Sequence, residues 1–155
     1  MGPNAVDESA DLDRTLRLEI YRHFAQTGQA PTMAELASRL SQPQAAVEDS
    51  LRRLAAGRAI VLAPGTLNIW MAHPFSAVPT AYPVQAAERS YWANCAWDAL
   101  NLTALLGIDS HIVAACPDCN TPLSMTVEHG SLRSPEGVIH FAVPPRHFWD
   151  NIGFT

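Results

Sequence analysis

A cysteine and an aspartate lie three residues apart in an aromatic stretch near the middle of the chain. Residues 89–107 read RSYWANCAWDALNLTALLG, and they contain Cys95 and Asp98. If this stretch is helical, residues three apart share a face, so the thiol and the carboxylate would point into the same space. Such a pair can bind a soft metal or move protons, and it can equally be ordinary core.

Two further cysteines form a CPDC motif, Cys116 to Cys119, between two segments that predict strands. A single CxxC is half of a zinc site or a redox pair, and zinc would need two more ligands from His111, His129 and His140. A thioredoxin-type pair belongs at a helix N-terminus, so a metal knuckle suits this position better. A free thiol pair with a structural or soft-metal role, structural zinc and plain turn residues are the three interpretations left open.

The segments that precede these residues predict three helices and a hairpin. The first helix is expected from residue 13 to about residue 26, ending at Gly28. Thr32 and Glu35 form a capping box for the second helix, and Pro43 opens a third that Gly57 stops. Two short apolar runs around a Pro-Gly turn then predict a β-hairpin. Three helices and a hairpin in this order are typical of a winged helix.

The second half of the chain predicts a helix packed on a small antiparallel sheet. The helix is expected over about residues 88–106, and β-branched, alternating segments predict three strands at 111–116, 122–130 and 137–144. Residues 146–155 resemble the start of a helix. Together the two halves predict an α+β fold, a winged-helix-like part followed by a catalytic-type part.

These patterns divide the chain into four regions. They are an acidic flexible tail (1–12), a winged-helix-like domain (13–72), a proline-rich linker or lid (73–87) and a core (88–155). The length of 155 residues suits one compact domain or two small ones sharing a core, and 48% hydrophobic residues indicate a globular chain.

Composition and charge narrow the classes of partner. The net charge of -5 argues against a nucleic-acid or anionic-membrane surface. The third helix offers Arg52 and Arg53 but also Glu48 and Asp49, which disfavours DNA binding. No apolar run is long enough to span a membrane, and the N-terminus lacks a hydrophobic signal core. Three cysteines fit reduced thiols in a cytoplasm.

Four blocks of the sequence resemble the alkylmercury lyase (organomercurial lyase) family. The most specific is YWANCAWDALNLTALLG, which contains Cys95 and Asp98. The others are HPFSAVPT at residues 73–80, CPDCNTPLSMTV at 116–127 and PPRHFWDNIGFT at 144–155. The blocks come in the family's order, after a winged-helix-like part, so the resemblance extends from about residue 13 to the end.

The resemblance implies protonolysis of carbon–mercury bonds, giving a hydrocarbon and Hg(II) that passes to a thiol acceptor. The family's catalytic set is two cysteines and one aspartate, of which Cys95 matches the first cysteine and Asp98 the aspartate. Both would also hold the metal. Cys116 matches a cysteine regarded as structural, and Cys119 belongs to a CxxC variant of that segment. No cofactor is required, although zinc at Cys116 and Cys119 is one option.

The resemblance also implies a pocket and a difference from the family. Aromatic walls that suit a methyl or phenyl group are expected from Trp92, Trp97, Phe148 and Trp149. In the family the second catalytic cysteine follows a segment like DNIGFT, and this sequence ends there at Thr155. A single thiolate with Asp98 would still bind an organomercurial, but we expect its turnover to be impaired.

Three other functions are consistent with the sequence. The CxxC motif allows a thiol-based binding module for Hg(II), Zn(II) or another soft metal. The scaffold of the lyase family can also serve a substrate without mercury. A winged-helix DNA-binding regulator is the least favoured. The expected partners are therefore a small organomercurial or related substrate and a thiol acceptor, without nucleic acid or membrane.

Overall fold

The computed structural model, which describes residues 5–133 and 137–153, has an α+β fold, as the sequence predicts. The helices are α1 (Ala5–Thr27), α2 (Met33–Leu40), α3 (Gln44–Ala56) and α4 (Ala96–Leu106), with a short 3-10 helix at Pro145–Asp150. The strands are β1 (Val61–Leu62), β2 (Ile69–Ala72), β3 (Phe75–Ser76), β4 (Pro83–Ala86), β5 (Arg89–Trp92), β6 (Ser110–Ala115), β7 (Pro122–Glu128) and β8 (Ser131–Arg133). They form two antiparallel sheets, β1-β2-β3 and β5-β4-β6-β7-β8.

Helix α1 begins inside the segment predicted as a flexible tail, so that prediction is wrong from Ala5 onward. Local side-chain contacts stabilise the early turns of α1, although the acidic composition of this segment had suggested a flexible tail. Arg14 pairs with Asp11 one turn away, and the Thr15 hydroxyl donates to the Asp11 carbonyl oxygen at 2.8 Å. The helix ends where predicted, at Gly28, whose φ of 75° lies in the left-handed region.

Helices α2 and α3 confirm the predicted capping signals. The Thr32 hydroxyl accepts the Glu35 N–H at 3.2 Å, and the Glu35 carboxylate accepts the Thr32 N–H at 2.8 Å. Pro43 is the N-cap of α3, and Gly57 is its C-cap. The hairpin β1–β2 is also confirmed, with Gly65 in its turn. The assignment of this part to the winged-helix class stays a prediction.

The segment predicted as a proline-rich linker is part of both sheets, so that prediction is wrong. Strand β3 adds to the first sheet through the pairing of Ala72 with Phe75, and β4 lies inside the second sheet between β5 and β6. Val84 and Ala86 are buried in alternation along β4. Pro83 is tolerated because it is the first residue of its strand.

The predicted helix over residues 88–106 is wrong in its first half. Residues 89–92 form β5, which pairs with β4 across a two-residue turn at Ala87 and Glu88. Tyr91 is buried there, and its hydroxyl donates to the Ala25 carbonyl oxygen at 2.8 Å. Aromatic residues favour this half-buried strand, so α4 begins only after Cys95.

Two of the three predicted strands near the C-terminus are confirmed as β6 and β7. The third is wrong, because residues 137–144 contain no strand and β8 follows β7 directly instead. His129 and Gly130, with φ of 51° and 72°, make the tight turn that pairs Glu128 with Ser131. The predicted terminal helix is the short 3-10 helix, and residues 154–155 lie outside the described part.

One hydrophobic cluster joins the N-terminal helices to the second sheet and α4. Phe24 of α1 stacks on Phe75 of β3 with ring centroids 5.0 Å apart, and Phe75 lies 5.9 Å from Tyr91 of β5. Leu102 of α4 and Ile112 of β6 are fully buried in the same cluster. Helix α4 is therefore anchored to the core through its buried face. No helix in the described ranges is both long and apolar enough to cross a membrane.

Candidate active site

Cys95 is the N-cap of α4. Its backbone is extended, with φ -150° and ψ 177°, and its Sγ accepts the Asp98 N–H at 3.4 Å. A thiol therefore takes the place usually held by a serine, threonine, aspartate or asparagine oxygen. Cys95 and Asp98 are therefore close because they are the N-cap and the third residue of α4. They are not two residues on one face in the middle of a helix, as the sequence suggested.

Asp98 is a buried carboxylate held from two neighbouring elements. Its Oδ2 accepts a hydrogen bond from Asn94 Nδ2 at 3.0 Å and lies 3.2 Å from His73 Nδ1. The Asn94 amide also lies 3.2 Å from the carbonyl oxygens of Pro74 and Phe75. An amide has only two hydrogens, so these acceptors share it. The start of α4 is thereby tied to the segment that leads from β2 into β3.

Burial raises the pKa of the Cys95 thiol above its ordinary value. The Asp98 N–H acts in the opposite direction, but the charge of the Asp98 carboxylate and its hydrogen bond with the thiol raise the pKa further. A helix N-terminus alone would favour the thiolate, so burial and the carboxylate outweigh it here. The Cys95 thiol is therefore harder to ionise than an ordinary cysteine thiol.

An apolar cavity of about 230 Å³ opens beside Cys95. Trp97 and Phe148, two of the predicted pocket residues, line it together with Phe141, and Pro117 lies on its wall. The Phe141 ring centroid is 6.2 Å from that of Trp97 and 5.6 Å from that of Phe148. An apolar cavity of about 150 Å³ can hold a benzene ring, so this one has room for a small hydrocarbon group.

The other two predicted pocket residues do not line this cavity. Trp92 is half-buried in β5, opposite Pro83. The ring centroid of Trp149 lies 6.3 Å from that of His73. The Cζ atom of Arg58 lies over the same tryptophan ring, 5.5 Å from its centroid. Trp149 thus contacts the ring of His73, the histidine that lies against Asp98.

The CxxC motif lies in the turn between β6 and β7, as predicted. Cys116 is half-buried, Cys119 is exposed, and both are free thiols. The Thr121 hydroxyl and backbone, followed by the Cys116 thiol, lower the pKa of Cys119 through hydrogen bonds. Within the described ranges no three histidine, cysteine or acidic side chains converge as a metal site. The predicted zinc site at Cys116 and Cys119 thus lacks further ligands there.

His73 and Asn94 are the site residues that sequence reasoning missed. His73 lies against Asp98, with Nε2 buried and unpartnered within the described residues. Signals for both residues were present. His73 opens the HPFSAVPT block, and Asn94 directly precedes Cys95.

The fold and the site define a class of α+β proteins in which a helix-capping thiol meets a buried carboxylate beside an apolar cavity. Residues 75–155, more than half of the chain, match the family model MerB, described as alkylmercury lyase. The chain belongs to the alkylmercury lyase family.

A solved structure of the mercury-bound form of MerB2 has a similar fold. It is 24% identical with a TM-score of 0.63, and the match covers 82% of this chain and 66% of that chain. This chain therefore spans just under two thirds of the length of the solved protein. A search of curated proteins gave no match.

Proposed function

We propose that this protein cleaves carbon–mercury bonds by protonolysis, with Cys95 as the mercury ligand and Asp98 as the proton carrier. The observation that carries the proposal is the contact between them. The Cys95 thiol accepts the Asp98 N–H, the Asp98 carboxylate helps to raise the pKa of this thiol, and the thiol opens on an apolar cavity. Membership of the alkylmercury lyase family supports the same reaction.

The first step is the exchange of the thiol proton for mercury. An organomercury cation binds Cys95 as a sulfur–mercury bond forms, because thiolates are preferred ligands of soft metals. The displaced proton passes to the Asp98 carboxylate, its hydrogen-bond partner. The raised pKa of Cys95 favours this coupling, since the thiolate exists only once the metal takes the place of the proton.

The second step breaks the carbon–mercury bond. Asp98 gives its proton to the carbon bound to mercury, and the electron pair of the carbon–mercury bond becomes the new carbon–hydrogen bond. The hydrocarbon leaves through the apolar cavity formed by Trp97, Phe141 and Phe148. Hg(II) stays on the Cys95 sulfur and the ionised Asp98 carboxylate until an acceptor thiol removes it.

Asn94 and His73 give Asp98 its orientation in this mechanism. Both contact Oδ2 of the carboxylate, which fixes one of its two oxygens. The amide of Asn94 is itself fixed by the carbonyl oxygens of Pro74 and Phe75. The carboxylate is therefore pre-oriented before substrate arrives.

Hydrocarbon release tests the proposal. The reduced chain is incubated with phenylmercury, and benzene is measured by gas chromatography beside Cys95→Ser and Asp98→Asn. We expect benzene from the unaltered chain and a loss of about 10²-fold or more in Asp98→Asn, the usual contribution of general acid catalysis. Benzene release no higher than that of Cys95→Ser would remove the proposal.

The two main alternatives make different predictions. A binding module for soft metals would retain mercury without releasing benzene. A DNA-binding regulator needs free basic groups, yet Arg52 pairs with Glu48 at 2.7 Å and Arg53 with Asp13 at 2.8 Å. Both arginines expected on the third helix are therefore occupied by carboxylates, which supports a function without nucleic acid.

A further inference from the structure

The turn between β6 and β7 holds two thiols close together. The Cys116 carbonyl oxygen accepts the Asn120 N–H at 2.8 Å, and the Cys116 N–H donates to the Thr121 carbonyl oxygen at 2.9 Å. These bonds close the loop at both ends and place residues 116 and 119 on one tight turn. The Cys119 Sγ contacts the Thr121 hydroxyl at 3.1 Å, and hydrogen bonding with the Cys116 side chain helps to lower the pKa of Cys119.

The turn lies at the rim of the cavity that contains Cys95. Pro117, between the two cysteines, is on the cavity wall together with Cys95. Cys116, directly before Pro117, is half-buried, and Cys119 is exposed to solvent. The thiol pair is thus next in the chain to a residue on the wall of the Cys95 cavity.

The number of side chains that can bind a metal at this turn predicts which kind of metal it binds. Within the described ranges no third histidine, cysteine or acidic side chain joins the two thiols. His111, one of the predicted zinc ligands, has its ring nitrogens 3.2 Å from the Thr126 hydroxyl and 3.5 Å from the Ser124 hydroxyl. Zinc in a structural site takes four protein ligands, whereas two thiolates complete the coordination of a linear, soft cation such as Hg(II).

We propose that Cys116 and Cys119 form a second metal site that binds Hg(II) as a bis-thiolate and receives it from Cys95. Binding replaces the two thiol protons, which leave to solvent, with two sulfur–mercury bonds. In the transfer, these bonds form as the bonds from mercury to Cys95 and Asp98 break, and one proton returns to Cys95. No electrons are gained or lost.

The binding half of this inference stands without catalysis, and only the transfer half rests on the proposed function. A bis-thiolate holds Hg(II) more firmly than one thiolate with a carboxylate, because sulfur is the softer ligand. The direction of transfer therefore runs from the cavity to the rim. An exposed Cys119 then presents the metal to an external thiol acceptor.

The binding test uses inorganic Hg(II) and the full reduced chain with Cys95→Ser. Mercury retained after gel filtration in excess monothiol is measured by mass spectrometry. We expect retention of one Hg(II) per chain, its loss in Cys95→Ser with Cys119→Ala, and no change in Cys95→Ser with Asp118→Asn, which alters the same turn without removing a thiol. Because Cys119 is exposed, its replacement should leave the fold intact, as circular dichroism would verify.

Loss of mercury from Cys95→Ser alone would overturn the second site, even if the unaltered chain releases benzene. Retention by Cys95→Ser when no chain releases benzene would remove the proposed function and keep the second site. Retention of zinc as firm as that of Hg(II) would contradict the donor-count argument. The proposed function and the second metal site can therefore be disproved independently of each other.

The transfer test follows the metal after a single turnover with less phenylmercury than protein. Unoccupied thiols are alkylated and the modified cysteines are identified by peptide mapping. We expect Cys95 to be alkylated, with Cys116 and Cys119 protected in proportion to the benzene released. In Cys119→Ala the mercury should stay on Cys95. Protection of Cys95 in the unaltered chain would contradict the transfer.

Discussion

The Asn94 amide donates to the Asp98 carboxylate at 3.0 Å, and it does so from the residue directly before the helix-capping Cys95. One short segment therefore supplies the thiol, the carboxylate and a donor that orients the carboxylate. The same amide contacts the backbone of the segment between β2 and β3. The site thus depends on the approach of two elements that are distant in sequence.

Replacement of Asn94 by alanine should impair catalysis more than substrate binding. The carboxylate loses a donor and its orientation, and removing such an outer partner typically costs about 10- to 100-fold in activity. Leaving a buried carboxylate under-bonded should also lower the free energy of unfolding by about 1–3 kcal/mol. Steady-state kinetics and thermal unfolding would measure both. Asn101→Ala, an exposed asparagine on α4, is the matched control, and equal losses in both variants would contradict the orienting role.

The contact between Asp98 and one particular ring nitrogen of His73 predicts which substitution of this histidine is tolerated. Nδ1, not Nε2, lies 3.2 Å from Asp98. The side-chain amide of asparagine can occupy the place of Nδ1, whereas that of glutamine reaches the place of Nε2. His73→Asn should therefore keep more hydrocarbon release than His73→Gln, with similar KM values. A ranking with glutamine above asparagine would contradict the contact as the source of the effect.

The raised pKa of Cys95 predicts how its alkylation depends on pH. Burial and the Asp98 charge favour the protonated thiol, so reaction with iodoacetamide should be slow at neutral pH and accelerate above the ordinary thiol pKa. Asp98→Asn removes the charge, so its Cys95 should react at lower pH. Cys119, whose pKa is lowered by Thr121 and Cys116, should titrate below Cys95 of the unaltered chain. Peptide mapping across a pH series measures all three midpoints, and an unchanged Cys95 midpoint in Asp98→Asn would count against the thiol–carboxylate contact.

Local signals were sufficient to predict the end of α1, the helices α2 and α3 and the hairpin β1–β2. The capping box of Thr32 and Glu35 and the stop at Gly28 depend on neighbours only a few residues away. The same reasoning failed at residues 83–92, where prolines were interpreted as a linker and aromatic residues as helix. Those residues become strands because β4 pairs with β6, and that long-range partner cannot be identified from local pattern.

The candidate site shows the same division between local and long-range information. Cys95 and Asp98 lie three residues apart, so their contact could be predicted, although the N-cap geometry could not. His73 reaches Asp98 only because β3 and β5 pack side by side, joined by the bridge from Phe75 to Ala93. Contacts between distant segments depend on the fold, and the histidine therefore looked unremarkable in the sequence.

The ion pair between Asp13 and Arg53 predicts a stability that depends on pH. Burial raises the pKa of Asp13, but hydrogen bonds from Arg53 and Ser50 and the Arg53 charge lower it below its ordinary value of 3.8. Because the pKa of Asp13 is lower in the folded state than in the unfolded state, the ionised carboxylate stabilises the protein at pH values above the unfolded-state pKa. This contribution is lost as pH falls through the folded-state pKa. Asp13→Asn should cost about 0.5–1 kcal/mol at neutral pH, as expected for a partly exposed pair. In urea unfolding, the difference from the unaltered chain should shrink as pH falls below the ordinary value of 3.8 and through the folded-state pKa of Asp13; a constant difference would exclude the linkage.

Gly28 should be intolerant of any side chain, because it joins the end of α1 to β5. A Cβ at this position would lie 2.5 Å from the Ser90 carbonyl oxygen, and φ is 75°. Gly65→Ala is the matched control, since its φ of 69° carries similar strain but nothing lies within 4 Å of its Cβ. Backbone strain alone should cost Gly65→Ala about 1 kcal/mol, whereas Gly28→Ala should lose several times as much because the clash is with backbone.

The shift of β5 would also displace Asn94 and Cys95, so Gly28→Ala should release less hydrocarbon even below its unfolding temperature. Equal unfolding midpoints for the two variants would show that α1 and β5 are not coupled through this contact.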